Sequence, residues 1–453
     1  MELLMIVSLF FFALIAVLRL DWALFILLAA LPSYLLRFHL GPIPLTMLEA
    51  MILIVFAVWF WQDKPWRRLK RADWQGRRRK YPYQLEIIGI LIAAWTGLAI
   101  AGFDNAALGV FKAYFLEPIL LYLVIINRGQ SSDRKFLWPL AISAAVVSAV
   151  AIFQQFTGLF IFNDFWALAS QRRVTSVFAY PNAVGLYLGP IIFLLGALFF
   201  SYPHRTNLVT ALKKILLLLI ILASLAAIFF ARSEGALIGL AGGTFIIALL
   251  ANKHSRRLAL SAAAIGVIVL SLYSPAWQYV QKKATLMDLS GQIRRQQWHE
   301  SLEMFKDGRI ISGAGLSNYQ AAVAPFHQEG IFVKNDDPDW YRKVVWNDEY
   351  KKKVWQPVEI YMYPHNIFLN FWTEITFLGA LLMMWLIARY QYEAIRLLKH
   401  LDKPQRALVL GLIGAMSAIF IHGLVDVPYF KNDLAILFWL LIAVFGIIKL
   451  KHK

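Results

Sequence analysis

The chain has 453 residues, 60% of them hydrophobic, 15% aromatic and 16% charged, with no cysteine and a mean hydropathy of +0.59. Soluble domains are about 45–50% apolar and about 25% charged, so a water-soluble enzyme is excluded, as are a disordered chain, a coiled coil and a disulfide scaffold. Lys and Arg number 45 against 27 Asp and Glu, a net charge of +18. In a soluble protein that excess would suggest nucleic acid; in a polytopic membrane protein its placement decides, and no nucleic-acid partner is expected.

Apolar runs near the ~20 residues needed to cross a bilayer fall at 2–18, 22–36, 42–61, 86–102, 109–126, 136–156, 183–200, 215–231, 236–251, 258–273, 366–388, 407–425 and 433–448. The expected fold is an all-α polytopic bundle of 12–13 transmembrane helices, because lipid leaves backbone polar groups unsatisfied and the alternating pattern of a β-barrel is missing. The first run reads as a retained segment rather than a cleaved signal. Basic residues concentrate in the connections 64–80, 128–135, 205–214, 253–257, 389–406 and 449–453, which together hold 26 of the 45. The positive-inside rule makes these cytoplasmic. If 2–18 and 22–36 both span, the N-terminus is outside and the count is thirteen; if they form one broken element, it is inside and the count is twelve.

One long hydrophilic stretch, 275–362, separates an N-terminal bundle (1–274) from C-terminal helices (363–453). It carries 12 basic and 11 acidic residues and five tryptophans, and is expected to fold as an outer-face domain over the bundle. Several of the remaining cations lie inside spans or at their outer ends. Charge at membrane depth is costly and is retained for pairing or function, so these cations point to an anionic ligand at the outer edge.

Six segments carry chemistry. Arg172-Arg173 leads through Tyr180-Pro181 into Asn182, a polar ledge that interfacial snorkelling would also explain. Arg232-Ser-Glu-Gly-Ala236 is a tight turn placing a guanidinium beside a helix N-terminus, both favourable for phosphate, unless Glu234 pairs with Arg232. Arg294-Arg295-Gln-Gln-Trp298 opens an amphipathic helix whose apolar stripe is Ile293, Trp298, Leu302 and Phe305. Gly313-Ala-Gly-Leu-Ser-Asn318 is a weak phosphate-cradle pattern that turns satisfy equally. Tyr363-Pro-His365-Asn366 places an imidazole, the side chain suited to base catalysis near neutral pH, at the top of a span that carries Glu374. His422 to Asp433, including Asp426 and Lys431, is a charged outer connection whose members could neutralise one another. Lys112 and Glu117 read as a structural pair. Asp337-Pro-Asp339 matches a short metal-binding pattern by chance, and neither a metal nor a cofactor is expected.

Taken in order, Arg173-Val…Phe178…Pro181-Asn182, Arg232-Ser-Glu-Gly-Ala236, Arg295…Trp298…Gly313-Ala-Gly-Leu316 and Pro364-His365-Asn366…Glu374…Gly379 resemble the O-antigen ligase and polymerase superfamily, most closely its ligases. Where that family often has Ser-Arg-Gly-Ala, this chain reads Arg-Ser-Glu-Gly-Ala. The resemblance implies a metal-independent, inverting glycosyltransferase of lipopolysaccharide assembly in the bacterial inner membrane. Its active site would face the periplasm. The donor would be a glycan on undecaprenyl diphosphate; the acceptor hydroxyl would belong to lipid A–core in the ligases, to another lipid-linked unit in the polymerases, or to Ser or Thr in protein glycosylating enzymes. His365 is then the expected base and Asn366 the acceptor-orienting residue. Arg232, Arg294 or Arg295, and Arg173 are the expected diphosphate ligands, with Glu374, Asn182 and Lys431 supporting. A lipid-linked glycan flippase would use the same cations without chemistry, though the chain shows no repeated halves.

Overall fold

The computed structural model describes residues 2–41, 43–65, 81–129, 134–203 and 207–452. Most of the basic run 64–80, and parts of the basic connections 128–135 and 205–214, lie outside the described residues. The fold is all-helical apart from two small antiparallel ribbons. Its main helices are α1 Glu2–Leu18, α2 Leu20–Ala29, α3 Met47–Asp63, α4 Gln84–Ile100, α5 Asn105–Arg128, α6 Trp138–Thr157, α7 Pro181–Ser201, α8 Leu208–Phe230, α9 Glu234–Ala251 and α10 Lys253–Leu272. They continue with α11 Ser274–Ala284, α12 Leu289–Met304, α13 Trp340–Trp346, α14 Asp348–Val354, α15 Ile367–Leu397, α16 Lys403–His422 and α17 Asn432–Lys451.

Among the described residues nine helices are long and apolar enough to cross a membrane; α1, α3 and α4, at 17 residues each, are a little shorter. The centre of the bundle is α7 with α16 and α17, each buried over most of its length. The packed pairs α7–α16, α9–α16 and α4–α15 are the most extensive. Glycines permit the closest of these approaches: a Cβ at Gly243 would lie 2.6 Å from the Phe193 ring and 2.8 Å from Gly414 O. By contrast α10 buries no residue against the rest of the chain.

The N-terminal region bears on the question of twelve or thirteen spans. The run 22–36 is not one continuous helix: α2 has ten residues, about 15 Å of helix, and continues through a 3-10 turn at Leu31–Leu35. The chain nevertheless traverses the bundle twice. Met5 near the start of α1 packs with Phe38 and Ala50, while Gln62 near the end of α3 donates to Val17 O at 2.7 Å near the end of α1. Asp21, just after the break at Arg19, meets Arg128 and Lys135 of the basic-loop end at 3.5 and 3.2 Å. So α1 runs to the basic-loop end and α2 returns. The expected span at 42–61 begins with a ribbon instead, β1 Arg37–Leu40 paired with β2 Ile43–Thr46; Thr46 then caps α3 in a reciprocal box with Glu49.

The segment 275–362 contains α11 to α14 and the ribbon β3 Gly330–Phe332 with β4 Trp355–Pro357. Its small core of Met304, Phe305, Tyr319 and Val323 is completed by Leu369 and Trp372 from α15. The tie to α15 has a specific cause. That helix breaks at Ile375 and Thr376, where the backbone leaves helical geometry. The segment 310–317 fills the break: Ala314 N and Gly315 N donate to Thr373 O at 2.8 and 3.0 Å, Phe377 N donates to Ile311 O at 3.1 Å, and Leu316 N donates to Gly97 O at 3.1 Å. Irregular backbone within a span is tolerated where protein groups satisfy it, as here.

Candidate active site

The turn between α8 and α9 holds Arg232 at φ +50°, a left-handed conformation that a non-glycine residue adopts only when its surroundings impose it. The surroundings are Arg173 and Gly185. Arg173 Nε donates to Ala231 O at 3.0 Å and its Nη2 donates to Arg232 O at 3.4 Å. The same Nη2 donates to Asn182 Oδ1 at 3.0 Å, and Asn182 Nδ2 donates to Asp426 Oδ2 at 3.3 Å. A Cβ at position 185 would lie 2.6 Å from Ser233 Oγ, so the absent side chain lets the turn settle on α7. The guanidinium of Arg232 is exposed and has no ion pair among the described residues. Glu234 does not neutralise it; its carboxylate binds Lys283 of α11 at 2.6 Å instead.

α12 separates the two adjacent arginines. Arg294 faces a cavity of about 320 Å³, and its buried Nε has no partner among the described residues. Arg295 points away, exposed, against Met287 Sδ at 3.1 Å. Of the expected apolar stripe Phe305 is buried, Ile293 and Trp298 are half-buried and Leu302 is exposed, while the helix also buries Gly291, Gln297, Glu300, Ser301 and Met304. A polar face can be buried here because it is bonded. Ser301 meets the Tyr319 hydroxyl at 2.9 Å, and Glu300 accepts from Gln328 N at 3.0 Å and Gln296 Nε2 at 3.0 Å.

Gln297 and Trp298, on the same helix, carry His365. Trp298 Nε1 donates to Pro364 O at 2.8 Å, and Gln297 Oε1 lies 3.0 Å from His365 Nδ1. With Oε1 accepting, Nδ1 bears the proton and Nε2 keeps its lone pair, the tautomer of a base. The ring is packed between Tyr361 and Tyr363 at centroid distances of 5.1 and 5.0 Å, and His365 itself has φ +45°. Burial depresses the imidazole's proton affinity below its ordinary value, with Asp426 opposing and Arg294 adding to the shift. His365 does not line the cavity; Arg294 and Asp426, which do, act on it electrostatically.

The cavity is walled by Arg173, Asn182, Arg232 and Glu234 on the membrane side, by Lys283, Asp288 and Arg294 from the loop segment, and by His422 and Asp426. The last pair, 3.9 Å apart, belongs to a sequence connection that reads only as mutually neutralising charge. A His-x3-Asp spacing at a helix end was the available signal. Gly235 makes room for this histidine, since a Cβ there would lie 2.6 Å from the His422 ring.

Other residues singled out in the sequence lie elsewhere. Asn366 spends its Oδ1 on Phe368 N and Leu369 N at 3.0 and 3.1 Å, and one hydrogen of its Nδ2 on Leu424 O at 3.1 Å. It is the N-cap of α15. Glu374 is buried and accepts from Ser317 N at 2.7 Å, so it and the glycine-rich segment hold the broken helix together. Lys431 sits in an aromatic box of Tyr34, Phe178 and Tyr180, 4.6 to 5.3 Å from the ring centres. Arg172 is used on the carbonyls of Ala167 and Gln155. Lys112 pairs with Glu49 at 3.4 Å, not with Glu117. Asp337 pairs with Lys343 at 2.8 Å.

The arrangement thus offers two guanidiniums without ion-pair partners among the described residues and a helix N-terminus around one cavity, with the His365 imidazole under the influence of its charges. Such a set of groups can in principle bind a polyanion and accept a proton. Residues 217–384 match the family model described as O-antigen ligase. No curated protein matches the chain.

Proposed function

Residues 217–384 make the chain a member of the O-antigen ligase superfamily, whose business is the transfer of lipid-linked glycans, and from that premise we propose that the cavity is the donor diphosphate site of an inverting glycosyltransferase. The donor in this reading is a glycan on undecaprenyl diphosphate. By likeness to the ligases, the acceptor is a sugar hydroxyl of lipid A–core, and the loop segment faces the periplasm of a bacterial inner membrane. The observation that carries the reading is the convergence of Arg232 and Arg294, both without ion-pair partners among the described residues, on one cavity whose Arg294 and Asp426 act electrostatically on His365.

The acceptor oxygen forms a bond to C1 of the sugar from the face opposite the carrier. The C1–O bond to the diphosphate breaks, and its electron pair stays on the leaving phosphate oxygen. The acceptor proton passes to His365 Nε2, while Gln297 holds Nδ1–H. As charge builds on the leaving group, Arg232 and Arg294 stabilise it through charge-assisted, forked hydrogen bonds in a partly desolvated site. Arg173 supports them by holding the Arg232 turn. In this scheme Asn366 positions His365 by capping α15.

The test is transfer in membranes supplied with lipid-linked glycan and candidate acceptors, with mass analysis of the product. His365→Ala should reduce transfer by about 10²–10⁴-fold while donor binding persists; near-normal transfer would remove the base assignment. Arg232→Lys keeps the charge but loses the fork, and should still weaken donor use by tenfold or so. Unchanged donor turnover in that variant would count against forked recognition of the diphosphate.

A further inference from the structure

The cavity contains a cation that this mechanism does not use. Lys283, near the end of α11, lies 2.6 Å from Glu234 Oε2 and 2.8 Å from Asp288 Oδ2. Glu234 is the first residue of α9, and Asp288 immediately precedes α12. One ammonium therefore joins a bundle helix to two helices of the loop segment at the rim of the cavity.

The charges there are poorly suited to an anion as they stand. Three arginines and Lys283 face three carboxylates, Glu234, Asp288 and Asp426. The Glu234 carboxylate also occupies the N-terminal end of α9, where a phosphate would gain most from the helix. If Lys283 stayed bound to its two carboxylates, the rim would hold its negative charge in place. We propose that Lys283 is a further donor-binding residue, which exchanges Glu234 and Asp288 for the diphosphate when the lipid-linked donor enters.

The exchange is feasible for each partner. Lysine is a mobile point charge on a flexible stem, so its ammonium can turn from one anion to another. Glu234 is 57% exposed along its side chain, so water replaces the lost pair at little cost. Asp288 stands at the N-cap of α12, yet its carboxylate caps no N–H. Released from Lys283, it can rotate onto the first-turn N–H groups, the ordinary role of an aspartate there.

This inference rests on the reading of the cavity as a diphosphate site, and the experiment separates the two. The probe is undecaprenyl diphosphate, and the readout is its equilibrium affinity for the purified full-length protein in lipid nanodiscs, with thermal stability recorded for every variant. Lys283→Met should weaken binding by about tenfold, whereas Glu234→Gln, which frees the ammonium and removes a like charge, should tighten it severalfold. The double variant decides: it should bind clearly less tightly than Glu234→Gln alone. Equal affinity of the two would mean that Lys283 merely neutralises Glu234, and would overturn the proposal. So would weaker or unchanged binding by Glu234→Gln. Absence of binding by the unaltered protein, or undiminished binding by Arg232→Ala, would instead overturn the diphosphate reading and this inference with it.

Discussion

His365 has one ring nitrogen committed to Gln297 and the other open, and its surroundings set the pH at which it can work. Burial disfavours the imidazolium, Asp426 favours it, and Arg294 disfavours it. The net shift is downward, so the neutral, proton-accepting form persists below the ordinary value of 6.5. The acid limb of the pH profile of transfer should therefore fall below pH 6.5, with activity lost only as pH drops through the depressed value. Asp426→Asn removes the one group that favours the charged form, so the limb should move to still lower pH, whatever happens to the plateau. A limb above 6.5 in the unaltered protein would contradict the assignment. At this scale the sequence was informative where charge stood out against apolar surroundings, as with Arg173, Arg232 and His365. It could not choose between Arg294 and Arg295, because the rotation of α12 is set by polar contacts to distant residues. Lys283 was invisible for a related reason: within a hydrophilic segment one lysine looks like any other until a partner from another helix reaches it.

Helices of the bundle were legible as apolar runs, and their ends less so. α10 starts several residues before its apolar run because Asn252 and Ser255 form a capping box, a polar signal that hydropathy alone ignores. The break in α15 left no trace in composition. Its cause lies in the segment 310–317, which reads in isolation as a glycine-rich turn. Gly313 and Gly315 have φ of +69° and +88°, and a Cβ at 315 would lie 2.9 Å from Ala101 N. A side chain is thus opposed both by the backbone conformation and by the neighbouring helix. Gly315→Ala should destabilise the fold by roughly 2 kcal/mol or more, lowering the thermal midpoint in detergent and reducing transfer although no cavity residue is altered. Full stability and activity in that variant would show that the segment is not the structural plug described above.

At the scale of the molecule, the two ends of α1 make a topological claim. Met5 lies with the ribbon and Val17 with the basic-loop end, which puts the N-terminus on the same side as the loop segment and the C-terminus on the other. The chain has no cysteine, so single cysteines can be read without background. An impermeant thiol reagent added to intact spheroplasts should label Glu2→Cys and Trp346→Cys but spare His452→Cys; labelling of the first and last together would refute the hairpin. The sequence left this open because 2–18 and 22–36 read equally as two spans or as one broken element; the continuation of α2 through the 3-10 turn and the ribbon carries the chain back. The filled break in α15 has a consequence for how the protein is made. The plug precedes the helix it completes, so synthesis delivers it first. When α15 forms, the carbonyl of Thr373 meets donors already made, and placement of the loop segment becomes a condition for seating the helix.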